Sequence, residues 1–120
     1  MEEKKYVTEW ANENLGLTLK ITNMVHEEQT PFQHIEIADT LEYGRLLILD
    51  GVFQTSVKDE WTYHEMISHV PLMLHPHPER VLIIGGGDGG VAREVCRHHC
   101  VTHVDLCDID GRVIELSKEY

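Results

Sequence analysis

No run of apolar residues in this chain approaches the ~20 that a helix needs to cross a bilayer, which excludes a helical membrane span. No apolar stretch follows the charged start Met1-Glu2-Glu3-Lys4-Lys5 either, so the N-terminus does not read as a secretory signal. Basic residues are scarce: ten against 21 acidic ones, a formal charge of −11. Such a chain repels nucleic acid and anionic membranes and tolerates a cationic substrate. There are three cysteines, an odd number, clustered at 96, 100 and 107, and no CxxC pair. Without a secretory signal the expectation is reduced thiols and a cytoplasmic protein. Cys96 and Cys100 lie one helical turn apart with His98, His99 and His103 nearby. The consecutive His98 and His99 diverge on a helix, however, and no metal is expected. His75 and His77 flank Pro76 and read as surface residues. Repeats and low-complexity segments are also missing.

What is present fits a soluble α/β protein: 120 residues, 42% hydrophobic and 26% charged. Its organisation changes at His75-Pro76-His77-Pro78, where two prolines stop a helix and favour an extended connector. Before it lies a small antiparallel β-domain, residues 1–58. Leu17–Thr22 and Phe32–Ile37 alternate apolar and polar with the period of half-buried strands. Leu46-Leu47-Ile48-Leu49, Asp50-Gly51 and Val52-Phe53-Gln54-Thr55 predict a hairpin closed by a type I′ turn. Four short strands are expected. A helix capped by Asp59 follows, with Trp61, His64, Ile67 and Ser68 near one face. Pro71 should kink or restart it. Helix and linker together occupy 59–78.

From 79 to 120 the pattern is β-α-β-α. Val81–Ile84 is an unbroken apolar run, as in a strand covered on both faces. A helix from about Gly90 to His98, a strand Val104–Cys107 and a helix from Arg112 follow. This is the opening of a doubly wound sheet, and it breaks off mid-domain at Tyr120. The first strand runs into Gly85-Gly86-Gly87-Asp88-Gly89-Gly90, which contains GxGxxG, and the second ends at Asp108, placed to hold a ribose through its two oxygens. Two ligand classes remain, dinucleotides and S-adenosyl compounds. Asp88 stands where a pyrophosphate would settle. A unit charge at ~4 Å costs about 4 kcal/mol at an effective dielectric of 20. The loop therefore leans toward a cationic S-adenosyl ligand.

Val81–Gly90 with Arg93-Glu94, the hairpin Leu49–Thr55, and Asp59–Met66 followed by His69-Val70-Pro71-Leu72 together resemble the spermidine synthase family of polyamine aminopropyltransferases, in its N-terminal portion. The resemblance implies a small β-domain followed by a Rossmann-like domain of the class I methyltransferase type. It implies aminopropyl transfer from decarboxylated S-adenosylmethionine, as co-substrate, to putrescine, with no prosthetic group. By resemblance, Gln33, Gly85, Gly87, Asp88 and Asp108 bind the nucleoside substrate, Asp88 also taking the amine of its aminopropyl arm. Tyr63, His64 and Gln54 join Asp88 in the polyamine site. The family's general-base Asp falls beyond residue 120, so no catalytic residue is expected within the chain and stand-alone activity should be negligible. A homodimer or homotetramer is implied for the complete protein. The alternatives are an S-adenosylmethionine-dependent methyltransferase, an NAD-binding domain, and a non-catalytic fragment that binds a partner through its open sheet edge.

Overall fold

A computed structural model of the chain describes residues 5–120. The chain divides into two compact units, Met1–Asp59 and Glu60–Tyr120. The helix expected to connect two units belongs wholly to the second.

The first unit is one five-stranded antiparallel sheet in sequential order: β1 (Tyr6–Asn12), β2 (Leu15–Gln29), β3 (His34–Thr40), β4 (Gly44–Leu49) and β5 (Val52–Ser56). Four strands were expected. β1 was missed, and β2 runs for 15 residues where six were foreseen. The reason lies in the register. The β2–β3 pairing slips between Ile21 and Asn23 and again between Met24 and His26. Each bulge shifts the side-chain alternation by one, so no single period marks the whole strand. The sheet coils until Glu9 of β1 accepts a hydrogen bond from the Phe53 amide of β5 at 3.1 Å. Val7, Ile21, Ala38, Leu46 and Ile48 fill its core, with Leu19, Met24, Tyr43 and Phe53 packed around them. The Asp50-Gly51 turn has φ of 50° and 77° and joins Leu49 to its partner Val52, as a type I′ turn requires.

The second unit begins with α1 (Glu60–Leu74). Pro71 lies inside this helix without restarting it, and the His75 amide closes the last turn on the Pro71 carbonyl at 3.1 Å. The position limits the damage: a proline this near the end removes one amide and leaves a single further turn to form. The buried face is His64, Ser68 and Leu72, spaced by four. Trp61 and Ile67, assigned to that face from the sequence, are 52% and 45% exposed.

Next come β6 (Arg80–Ile84), α2 (Gly90–Val95), β7 (His103–Cys107) and α3 (Gly111–Glu119), with β6 and β7 paired in parallel. α2 is shorter than expected. Beyond Val95 the amides of Arg97 and His98 bond three residues back, to Glu94 and Val95, tightening the chain into a turn. Asp110 caps α3 by accepting the Arg112 amide at 3.1 Å. Leu72, Ile83 and Val95 form the core between helices and sheet. β6 departs from the both-faces-covered expectation: Ile83 is buried, but Leu82 and Ile84 are 62% and 84% exposed. The two-stranded sheet is covered on one face only.

Candidate functional site

The glycine loop joins β6 to α2 at the C-terminal end of the parallel strands, where sheets of this kind hold ligands. Its first amide continues the sheet, Gly85 donating to the Cys107 carbonyl at 2.8 Å. That bond brings the ends of β6 and β7 side by side and sets Asp108 against the loop.

Two of the glycines are fixed by what touches them. A Cβ on Gly87 would lie 2.7 Å from Asp108 Oδ2 and 3.1 Å from Val113. Without it, the Gly87 amide donates to Asp108 Oδ2 at 2.9 Å. Asp108 Oδ1 accepts the Asp110 amide at 2.9 Å. A carboxylate offers about four lone-pair sites, so each Asp108 oxygen retains one for a further donor. A Cβ on Gly90 would collide with the imidazole of His64. The last glycine of GxGxxG is thus the seat of an α1 side chain.

His64 is 2% exposed. Its Nδ1 bonds the Glu60 carboxylate one turn earlier on α1. Its Nε2 lies 3.1 Å from Asp88 Oδ1, yet this buried nitrogen makes no aligned hydrogen bond. The same Asp88 oxygen accepts the Gly90 amide at 2.8 Å.

The two flanking carboxylates are not equivalent. Glu60 is also held by Arg93 at 2.8 Å. That guanidinium, assisted by His64 and opposed by partial burial, keeps Glu60 below the usual carboxylate range. Arg93 in turn is pushed upward, chiefly by Glu60 and then by Glu94. Asp88 has no Lys or Arg partner among the described residues, and neither has Asp108; both are half-buried. The loop therefore carries two carboxylates positioned by backbone amides and, among the described residues, without a Lys or Arg partner. Such an arrangement can hold an ammonium or sulfonium group and sugar hydroxyls.

Of the sequence-derived candidates, the structure brings together Gly85, Gly87, Asp88, Asp108 and His64. Tyr63 is 62% exposed, its ring 5.5 Å from the His64 ring in an edge arrangement. Gln33 and Gln54 belong to the first unit. Gln33 precedes β3 rather than lying in it: its amide donates to Thr30 Oγ1 at 3.1 Å, and its carbonyl accepts the Thr30 amide at 2.9 Å. Gln54 is exposed on β5. Sequence reasoning missed Glu60, Arg93 and the role of Gly90. The i, i+4 spacing of Glu60 and His64 was the available signal.

A small antiparallel β-unit followed by the opening of a Rossmann-like domain, with acids at its glycine turn, defines the structural class. Residues 6–56 match the spermidine synthase tetramerisation domain, and residues 60–120 match the spermine/spermidine synthase domain. The chain belongs to the spermine/spermidine synthase family. It is 53% identical over 115 residues to a polyamine aminopropyltransferase of Bacillus subtilis and equally so to one of Desulforudis audaxviator, covering 96% of this chain and 42% of each relative. A spermidine synthase crystallised in complex with the transition state analogue AdoDATO superposes with a TM-score of 0.94 at 44% identity. The spermidine synthase of Thermotoga maritima does so with 0.93 at 44%. These cover 96% of this chain and 40% and 41% of the solved ones. The chain thus spans about two fifths of the length of the relatives it matches.

Proposed function

We propose that this chain forms the nucleoside- and amine-binding part of an aminopropyltransferase that carries the aminopropyl group of decarboxylated S-adenosylmethionine to putrescine. The observation that carries this reading is Asp88: a carboxylate locked into the glycine turn by the Gly90 amide, beside buried His64 and, among the described residues, without a Lys or Arg partner. Asp88 would receive the primary ammonium of the aminopropyl arm, and Asp108 the ribose hydroxyls through its free lone pairs. Gly85 and Gly87 would let the nucleoside approach the main chain. By the family resemblance, His64, Tyr63 and Gln54 would bind the amine acceptor and Gln33 the nucleoside.

In the reaction, the acceptor nitrogen forms a bond to the carbon attached to the sulfonium. The C–S bonding pair leaves with sulfur, giving neutral methylthioadenosine, and the nitrogen gives its extra proton to a carboxylate base. Alignment of the two substrates is the main contribution asked of this part. The base, an Asp by family resemblance, belongs to the part of the relatives outside these 120 residues. Putrescine as acceptor, the cytoplasm as location and a tetramer built through the first unit complete the proposal. Among the described residues, no helix is long and apolar enough to cross a membrane.

Calorimetric titration of the purified chain tests the site. Decarboxylated S-adenosylmethionine should bind more tightly than S-adenosylmethionine, whose carboxylate meets Asp88, and more tightly than NAD. Asp88→Asn should weaken the decarboxylated compound about tenfold, ~1.4 kcal/mol, and methylthioadenosine much less. A preference for NAD, or equal losses for both nucleosides, would overturn the assignment. Methylthioadenosine release by the chain alone should be negligible; turnover comparable to a full-length relative would contradict the placement of the base.

A further inference from the structure

On the side of α1 that carries Glu65 and His69, a second cluster meets α2. Glu65 and His69 are one turn apart on α1. Glu94 on α2 and His98 just beyond it repeat the same spacing. Ligand atoms of Glu65, His69 and Glu94 all lie within 4.8 Å of one another. His69 Nε2 is 3.3 Å from Glu94 Oε2, and His69 Nδ1 is 2.8 Å from His98 Nε2. Glu94 is 2% exposed, and Glu65, His69 and His98 are half-buried.

We propose that Glu65, His69 and Glu94 bind a divalent transition-metal ion of the zinc type, which clamps α1 to α2. Zinc takes nitrogen and carboxylate oxygen at about 2.0–2.2 Å, and two ligand atoms on a tetrahedron of that size stand about 3.3–3.6 Å apart. The observed His69–Glu94 separation matches such an edge. His98 supplies the outer contact typical of metal-bound histidines: with the shared proton on His69 Nδ1, it fixes the ring and leaves the Nε2 lone pair toward Glu94. A proton would satisfy two atoms, whereas three converge here. Arg93 and Arg97 already hold Glu94, at 2.8 Å on Oε1 and 2.9 Å on Oε2. They orient the carboxylate and leave Oε2 a lone pair for the ion. The sequence pointed to no metal because its two Glu-x-x-x-His pairs stand 29 residues apart and meet only when the helices pack. A fourth position is left for water. The clamp would steady the face on which His64 of α1 rests against Gly90 at the start of α2.

The test is titration of the metal-free 120-residue chain with Zn²⁺ by calorimetry, and with Co²⁺ by visible absorption to report coordination. One equivalent should bind. Glu65→Gln and His69→Gln should each weaken binding at least tenfold, and His98→Gln by about 10- to 100-fold. The double variant His75→Gln/His77→Gln should bind as the parent does. Circular dichroism of each variant keeps loss of fold apart from loss of a ligand, and half-buried Glu65 offers the mildest change. Absence of saturable binding, binding that survives in a folded His69→Gln chain, or binding lost with His75 and His77 would each overturn the proposal. Nucleoside affinity is measured separately, so either site can fail without the other.

Discussion

Gly90 and the His64 ring compete for one volume, and this contact ties the glycine loop to α1. A methyl group at 90 has no open direction, because the imidazole already lies where the Cβ would be. His64 cannot swing away cheaply: it is 2% exposed and its Nδ1 is held by Glu60. Gly90→Ala should therefore destabilise the second unit by about 1–3 kcal/mol, the usual cost of overpacking. The cause is specific, so it can be relieved. In a His64→Ala background the same substitution should cost less than about 0.5 kcal/mol, as at an unstrained position. Urea unfolding of the four chains of this cycle gives the coupling directly. Additive costs would mean that the loop excludes a side chain at 90 for some reason other than the imidazole. GxGxxG alone marked Gly90 only as a member of the motif. The three-dimensional reason, a histidine 26 positions earlier in the chain, has no signature in the motif.

Elements whose side-chain period survives intact were legible. The hairpin of β4 and β5 was placed within two residues because Asp50-Gly51 demands positive φ at both positions, a signal strong enough to survive the slip in pairing between Leu47 and Ile48. β6, β7 and α3 were found within a residue or so at each end. β1 was lost because Tyr6–Asn12 has one buried residue, Val7, and no alternation to detect. Bulges hid half of β2, and a tight turn cut α2 short. Cross-strand chemistry was equally invisible. Asp39 on β3 faces Arg45 on β4 in register, and the guanidinium grips both carboxylate oxygens at 2.8 and 3.1 Å. The Arg45 hydrogen bond holds Asp39 below the usual aspartate range, burial opposing it slightly and the Arg45 charge and Asn23 adding to it. With both groups about one third exposed, the pair contributes roughly 0.5–1 kcal/mol. A carboxylate depressed in the folded state stabilises fully above its unfolded value, near 3.9, and loses that contribution as pH falls through the lower folded value. Asp39→Asn should thus unfold at lower urea than the parent at neutral pH, with the gap closing as pH falls below the unfolded value and through the lower folded one. A gap that persists in acid would assign the loss to packing.

At the scale of the molecule, two features act together. The charge of −11 draws cations toward the chain from several ångströms away and fades with salt, which suits a site that selects its ligand by an ammonium group. The second feature is the sidedness of the parallel pair. On β6, Ile83 points into the core with Leu72 and Val95, while Leu82 and Ile84 point outward, largely exposed. An apolar face of this kind adsorbs dyes and other apolar surfaces. The purified 120-residue chain should bind the probe ANS and associate as concentration rises. Ile84→Lys should reduce both while changing stability by no more than about 0.5 kcal/mol, because the side chain has little burial to lose. Ile83→Val, one position away and smaller by a single methylene, should cost about 0.5–1.5 kcal/mol and leave the dye signal unchanged. Sedimentation and urea melts of the two variants side by side separate the faces. If Ile84→Lys proved as costly as Ile83→Val, β6 would be buried on both sides in solution and its outward face would already have found a cover.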